Sequence, residues 1–161
     1  MLFLLFYVGP ERYALPANHV VEVVPLLNLK RILQAPKGVA GLFNYRGRPV
    51  PAVDLCELTL GKPAEERLST RIIIVQYPDA DGHSRLLGLI AERATDILRK
   101  TDADVAHPNV RIDAAPYLGP VIMDGPNSVQ WIHEERLLSD NVRNLLFSQL
   151  PELQARAAQD A

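Results

Sequence analysis

The residues of this chain that could carry chemistry are few and scattered. Its histidines fall at His19, His83, His107 and His133, and Cys56 is its only cysteine. A zinc site draws its ligands from closely spaced Cys and His pairs, and no such pair occurs here. Cys56 would need a neighbouring base to act as a nucleophile. Set in the apolar run around Leu55, it reads instead as a small buried hydrophobe. Asp79-Ala80-Asp81-Gly82 starts like a calcium loop but lacks the later ligands and the glycine at the sixth position, which leaves a plain turn. Asp102 and Asp104 read as part of a solvated loop, and no glycine-rich phosphate cradle follows a strand. The sequence therefore predicts no catalysis, no metal and no cofactor.

What remains is charge and shape. Lys30, Arg31, Lys37, Arg46 and Arg48 crowd into one stretch, either as a solvated loop face or as an interface. In the sharper reading Arg46 projects from an Arg-Gly turn beside Phe43 and Tyr45. Arginine suits an interface because its planar fork makes several directed hydrogen bonds and desolvates more readily than lysine. A single-stranded nucleic-acid site would interleave such cations with aromatics. Here aromatics are 6% of the chain and are not so placed. A net charge of −2 and a pI near 6.1 give no global field toward nucleic acid or an anionic membrane.

The elements that must position Arg46 are written in Gly41–Leu55: a hydrophobic strand, a tight turn at Arg46-Gly47, a second strand and a helix start. Pro49 and Pro51 lie two apart, so one side of the second strand lacks two successive ladder donors. That side should be a sheet edge, guarded against aggregation, or the border with a second barrel. Asp54 can cap the helix, with Glu57 reaching back in a capping box, and Gly61 and Pro63 end it.

Elsewhere short strands recur between turn signals: Leu2–Val8, Arg12–Leu15, Val20–Val24, Arg71–Tyr77, Arg85–Ala91, Tyr117–Met123 and Ser128–Ile132, with Thr95–Leu98 extending or following the fifth. Asp-Gly and Gly-Pro loops predict two further hairpins. The pattern is mainly β, small barrels or a sandwich. Val50, Ala52, Val53, Ile72, Ile74 and Leu89 should line barrel interiors. Lys62–Ser69 is polar enough to connect two halves. A helix is predicted over Asp140–Leu150, capped by Ser139 or Asp140, with Pro151 interrupting it and a frayed helix over Glu152–Ala161. Leu2–Val8 lacks a basic lead and falls far short of the roughly 20 apolar residues of a membrane span, so a cytoplasmic protein with no direct membrane insertion is expected.

The motifs together resemble the CheW-like coupling proteins of bacterial chemosensory systems. The resemblance is most specific at Gly41-Leu42-Phe43-Asn44-Tyr45-Arg46-Gly47 and Val50-Pro51-Ala52-Val53-Asp54-Leu55. Val20-Val21-Glu22-Val23, Arg31–Pro36, Arg71–Val75, Leu87–Ile90, Tyr117-Leu118-Gly119 and Trp131–Leu138 support it. It implies two intertwined five-stranded SH3-like barrels over residues 1–138, with short helices, and a C-terminal helical extension over 139–161. It also implies a non-enzymatic adaptor in receptor arrays at the inner face of the cytoplasmic membrane, coupling the cytoplasmic domain of a chemoreceptor to the regulatory domain of a CheA-type histidine kinase. By position, Arg46 would contact the receptor, with Val20, Glu22 and Gly41 on the functional surfaces near it and Glu22 paired to Arg46. Two places depart from the family pattern: Ala91-Glu92, where Val-Asp is usual, and Pro49 beside the turn. They leave the pathway output open, swimming or otherwise. The alternative reading is an SH3-like barrel that binds another ligand, such as nucleic acid.

Overall fold

A computed structural model describes residues 1–107 and 113–148. The strands are β1 (Leu2–Val8), β2 (Glu11–Pro16), β3 (Val20–Pro25), β4 (Val39–Tyr45), β5 (Arg48–Asp54), β6 (Arg71–Pro78), β7 (Ser84–Arg99), β8 (Val105–Ala106), β9 (Leu118–Asp124) and β10 (Asn127–Ile132). Helix α1 spans Leu55–Leu60 and α2 spans Asp140–Ser148. Single 3-10 turns cover Ala17–His19, Asp102–Asp104 and Glu134–Arg136. The predicted strand over 95–98 is the far end of β7, which runs through both halves of the molecule.

The first half joins β3, β6, the start of β7, β5 and β4 in that order; the second runs from the end of β7 through β1, β2, β10, β9 and β8. β7 pairs with β6 as far as Ala91 and with β1 from Glu92 onward. At the changeover Arg93 takes φ 49°, and the Ala94 amide leaves the ladder to donate to the Ser69 carbonyl at 3.2 Å. A strand that serves two sheets must bend between them, and this break supplies the bend. The first half is thus a set of five strands and the second a set of six, with β7 common to both, and each stays open at its edges among the described residues.

Strand alternation divides the core three ways. Phe43, Val50, Ala52, Ile72, Ile74 and Ile90 fill the first half, and Phe3, Leu5, Ala14, Ile122 and Val129 fill the second. The opposite faces of the same strands, among them Leu4, Phe6, Val53, Ile73, Val75 and Leu89, form one large core between the halves. Val53 and Leu89 therefore do not line a barrel interior as expected. Each follows or precedes a residue that does, and neighbours on a strand face opposite ways.

Helix α2 closes that central core. Leu146 and Phe147 are buried in it, and Phe147 stacks on Tyr77 with ring centres 5.8 Å apart. Ser139 caps the helix through its Oγ, which accepts from the Val142 amide at 3.3 Å. The expectations for Pro151 and for Glu152–Ala161 lie outside the described residues.

Candidate functional site

The β4–β5 hairpin turns in two residues, with Tyr45 opposite Arg48 and both Arg46 (φ 52°) and Gly47 (φ 80°) left-handed. Positive φ at both central positions marks the turn whose twist suits a hairpin. The Gly47 amide donates to Asn44 Oδ1 at 2.8 Å and fixes the tip. Glycine adopts this backbone freely, but arginine does not, so the tip holds strain of the order of 1 kcal/mol at Arg46.

The two prolines leave this hairpin intact. In a two-residue hairpin the pair flanking the turn exchanges both backbone bonds, and hydrogen-bonded pairs then alternate. Pro49 and Pro51, opposite Asn44 and Leu42, occupy the non-bonded positions and point their nitrogens away from β4. On that far side β5 has no ladder until Ala52, where its parallel pairing with β7 begins. The missing donors fall where β5 is an edge, as the sequence suggested.

Around the tip the structure gathers residues from β3 and β4. The Glu22 carboxylate accepts from Arg46 Nη2 at 3.4 Å, and the same Oε2 accepts a short hydrogen bond from the Tyr45 hydroxyl. The Arg46 guanidinium lies over the Tyr45 ring, 5.3 Å from its centre. Glu22 raises the Tyr45 phenol above its ordinary value, because the bond it accepts is lost when the phenol ionises. The Arg46 side chain remains 74% exposed and that of Glu22 37%. Val20, half-buried on β3 opposite Val75, packs its apolar part toward the central core.

Gly41 is buried and lies under a neighbouring loop. A Cβ built there would meet the Lys30 carbonyl oxygen at 2.3 Å. That close approach lets Lys30 exchange two backbone bonds with Leu42, at 2.8 and 2.9 Å. Gly41 thereby holds the Lys30 loop against β4, on the strand that leads to Arg46. Lys30, Arg31, Lys37, Arg46 and Arg48 are all exposed.

Asp54 serves as the helix cap, with Oδ1 accepting from the Cys56 amide at 2.9 Å and the Glu57 amide at 3.2 Å. Its Oδ2 takes the Ala64 amide at 3.0 Å, which ties down the connection after α1. The reciprocal half of the expected capping box is replaced: the Asp54 amide donates to the Gly38 carbonyl at 2.7 Å. Gly61 ends the helix at φ 79°.

The groups considered for chemistry are engaged structurally. Burial pushes the Cys56 thiol up to about 12, with the Glu92 carboxylate 3.3 Å away acting in the same direction. Such a thiol is not a nucleophile at neutral pH. Ligand atoms of Asp79, Asp81 and His83 lie within 4.8 Å of one another. Asp79, however, is spent on its own turn: Oδ1 accepts from the Asp81 and His83 amides and Oδ2 from Arg85 Nε at 3.0 Å. His19 sits 2.6 Å from the buried Glu134, whose carboxyl is raised by burial. Asp104 caps its own 3-10 turn through Thr101.

Two residues escaped the sequence reading. Tyr45 enters the sequence reading only as a neighbour of Arg46, although a phenol beside an arginine is a signal. Glu92 departs from the family pattern, and the structure shows what it does: it accepts from the Gly9 amide at 3.1 Å and the Glu65 amide at 3.3 Å, stitching three segments at the bend of β7.

Comparison with known proteins agrees with this architecture. The sequence pattern of the CheW-like domain family matches residues 2–142. The chemotaxis protein CheW of Helicobacter pylori is 31% identical over 104 residues, which is 64% of this chain and 59% of that protein. CheW of Rhizobium meliloti is 32% identical over 100 residues, 62% of this chain and 61% of its own. Protein FrzA of Myxococcus xanthus is 28% identical over 113 residues, 70% and 68% of the two chains. The match thus spans about three fifths of the first two relatives. The crystal structure of the scaffolding protein TtCheW from Thermoanaerobacter tengcongensis superposes with a TM-score of 0.77 at 23% identity, covering 90% of this chain and 92% of that one. That likeness shows the shared fold: the chain is mainly β as expected from the sequence, and its two strand sets, though not closed into barrels among the described residues, are consistent with the SH3-like architecture.

Proposed function

The chain belongs to the CheW-like domain family, and from that premise we propose that it is a non-enzymatic adaptor. It couples the cytoplasmic tip of a chemoreceptor to the regulatory domain of a CheA-type histidine kinase within a bacterial chemosensory array, whose output need not be swimming. It works on the cytoplasmic side of the membrane, in keeping with the fact that no helix among the described residues is long and apolar enough to cross one. The observation that carries the reading is Arg46: a strained, exposed arginine kept on a hairpin tip and oriented by Tyr45 and Glu22. Backbone strain of that kind clusters at functional sites, and at Arg46 it falls on a side chain that stands in solvent. Receptor binding is assigned to Arg46 with Glu22, Val20 and Gly41, the last acting through the loop it admits.

The test is charge reversal at Arg46. Arg46→Glu should lose at least about 2 kcal/mol of receptor binding, some thirtyfold in affinity, as truncating an interface anchor does. Stability should move by no more than about 0.5 kcal/mol, the usual limit for a surface position. Pull-downs would use a chemoreceptor cytoplasmic fragment and a kinase regulatory domain from the same organism, with circular dichroism as the control for folding. Kinase binding should hold. Normal receptor binding by a folded Arg46→Glu variant would remove this hairpin from the receptor site.

A further inference from the structure

Two donors converge on one oxygen of Glu22, and they are unequal. The Tyr45 hydroxyl makes the short bond, while Arg46 Nη2 stands off at 3.4 Å. A charge-assisted bond from arginine to a carboxylate is ordinarily about 2.7–2.9 Å, so Arg46 is only loosely held. The phenol is the fixed partner: Tyr45 is half-buried and packs against the first-half core, whereas the Arg46 side chain is 74% exposed. The Tyr45 ring also supports the guanidinium from below, at 5.3 Å.

We propose that Tyr45 is a positioning residue for the Arg46 contact: its hydroxyl keeps the Glu22 carboxylate occupied, so that Arg46 can turn its N–H groups to an acceptor on the partner. This rests on the adaptor reading above. Exchange of an internal ion pair for an intermolecular one leaves a carboxylate behind, and a half-buried carboxylate without a donor is costly. The phenol supplies that donor in advance. Without the hydroxyl, Glu22 has Arg46 as its remaining donor in this cluster, and the pair closes on itself.

Tyr45→Phe keeps the ring and removes the donor. It should weaken binding of the chemoreceptor fragment roughly 3–10-fold, with an unchanged circular dichroism spectrum. Adding Glu22→Ala removes the competitor that captures Arg46. The double variant should then bind within about twofold of Glu22→Ala alone, a coupling that a loss of packing would not show. Tyr45→Phe binding like wild type, or a loss that Glu22→Ala leaves in place, overturns the proposal. The Arg46→Glu control separates the two readings. If it keeps receptor binding the docking site itself is wrong, and if it loses binding while Tyr45→Phe does not, only the positioning role is wrong. A partner-free measurement decides the contact independently. The alkaline phenolate absorbance of Tyr45, taken as wild type minus Tyr45→Phe, should move to lower pH in Glu22→Ala. No movement would mean the phenol does not hold Glu22, and the proposal falls.

Discussion

The β4–β5 hairpin and the β9–β10 hairpin each reverse the chain in two residues, Arg46-Gly47 in the first half and Gly125-Pro126 in the second. The second turn is relaxed: glycine takes the positive φ of 60° and proline follows at its natural φ. Its charge is also tied. Asp124 accepts from Arg12 at 2.8 Å and from Lys100 at 3.0 Å, and the Lys100 carbonyl in turn accepts from the chain's amino terminus at 2.6 Å. The first turn places an arginine where glycine or asparagine would be easier and leaves it loosely held on Glu22 and mostly in solvent. One hairpin is tied down to Arg12 and Lys100 of its own half, while the other presents a cation. Local stability accounts for the second hairpin in full and argues against the first, which is why the first carries the functional reading.

The comparison breaks most severely at what lies beneath the presenting hairpin. Ile74 is fully buried in the first-half core with Phe43 and Val50 of that hairpin. Ile74→Ala should cost about 2–5 kcal/mol. The central core contains Val53 and Ile73 of the first half and Leu15 and Ile132 of the second, so urea unfolding should remain one transition at a lower midpoint. Two separate transitions would show that the halves fold independently. A loss below about 0.5 kcal/mol would place the residue at the surface.

A smaller loss is expected where the presenting hairpin runs into α1. Asp54 satisfies three backbone amides from a buried position. Asp54→Ala removes a cap, worth about 1 kcal/mol alone, and strands the Ala64 amide, bringing the total to roughly 2–3 kcal/mol. A fall of only 1 kcal/mol in urea would mean that water replaces the Ala64 contact.

The cap shows what kind of feature a sequence can disclose. Asp54 before Leu55-Cys56-Glu57, the paired prolines and the Arg46-Gly47 turn all act within a few residues, and donor counting along the chain suffices to place them. The contact of Glu22 with Tyr45 joins positions 23 apart and that of Glu92 with Gly9 positions 83 apart. No spacing rule reaches that far. Val53 and Leu89 fail for a different reason. Alternation says which residues share a face, but not that both faces of β5 and β7 are buried, one in a barrel and one between barrels. Likewise Glu57 had the spacing for a capping box, yet Gly38 took the amide it would have reached.

The tied hairpin should respond to acid. Hydrogen bonds from Arg12 and then Lys100 hold the Asp124 carboxyl below its ordinary value of 3.8. A depressed carboxylate contributes stability that is present above its unfolded value and lost as pH falls through its folded one. Asp124→Asn should therefore lower stability by no more than about 1 kcal/mol at neutral pH, the scale of a largely solvated ion pair. The gap to wild type should begin to narrow below about pH 4 and close as pH falls through the lowered folded value, where wild type loses the same contacts. Parallel stability curves through that range would show that the two cations do not clasp the turn.

The smallest stability effect tests the comparison most directly. Arg46→Asn places at φ 52° a residue that tolerates the left-handed region, which relieves strain of the order of 1 kcal/mol. It also removes the guanidinium from the Tyr45 ring, a contact worth about 0.5–1 kcal/mol at an exposed site. These terms nearly cancel, so the urea midpoint should shift by less than about 0.5 kcal/mol, in either direction. Receptor binding should nevertheless fall at least about tenfold, because asparagine cannot reach an acceptor across the interface with a forked, charged donor. Stability unchanged with binding lost is the signature of a residue kept for its partner. A stability loss of about 2 kcal/mol would instead make Arg46 a second clasp, and the two hairpins would then differ only in sign.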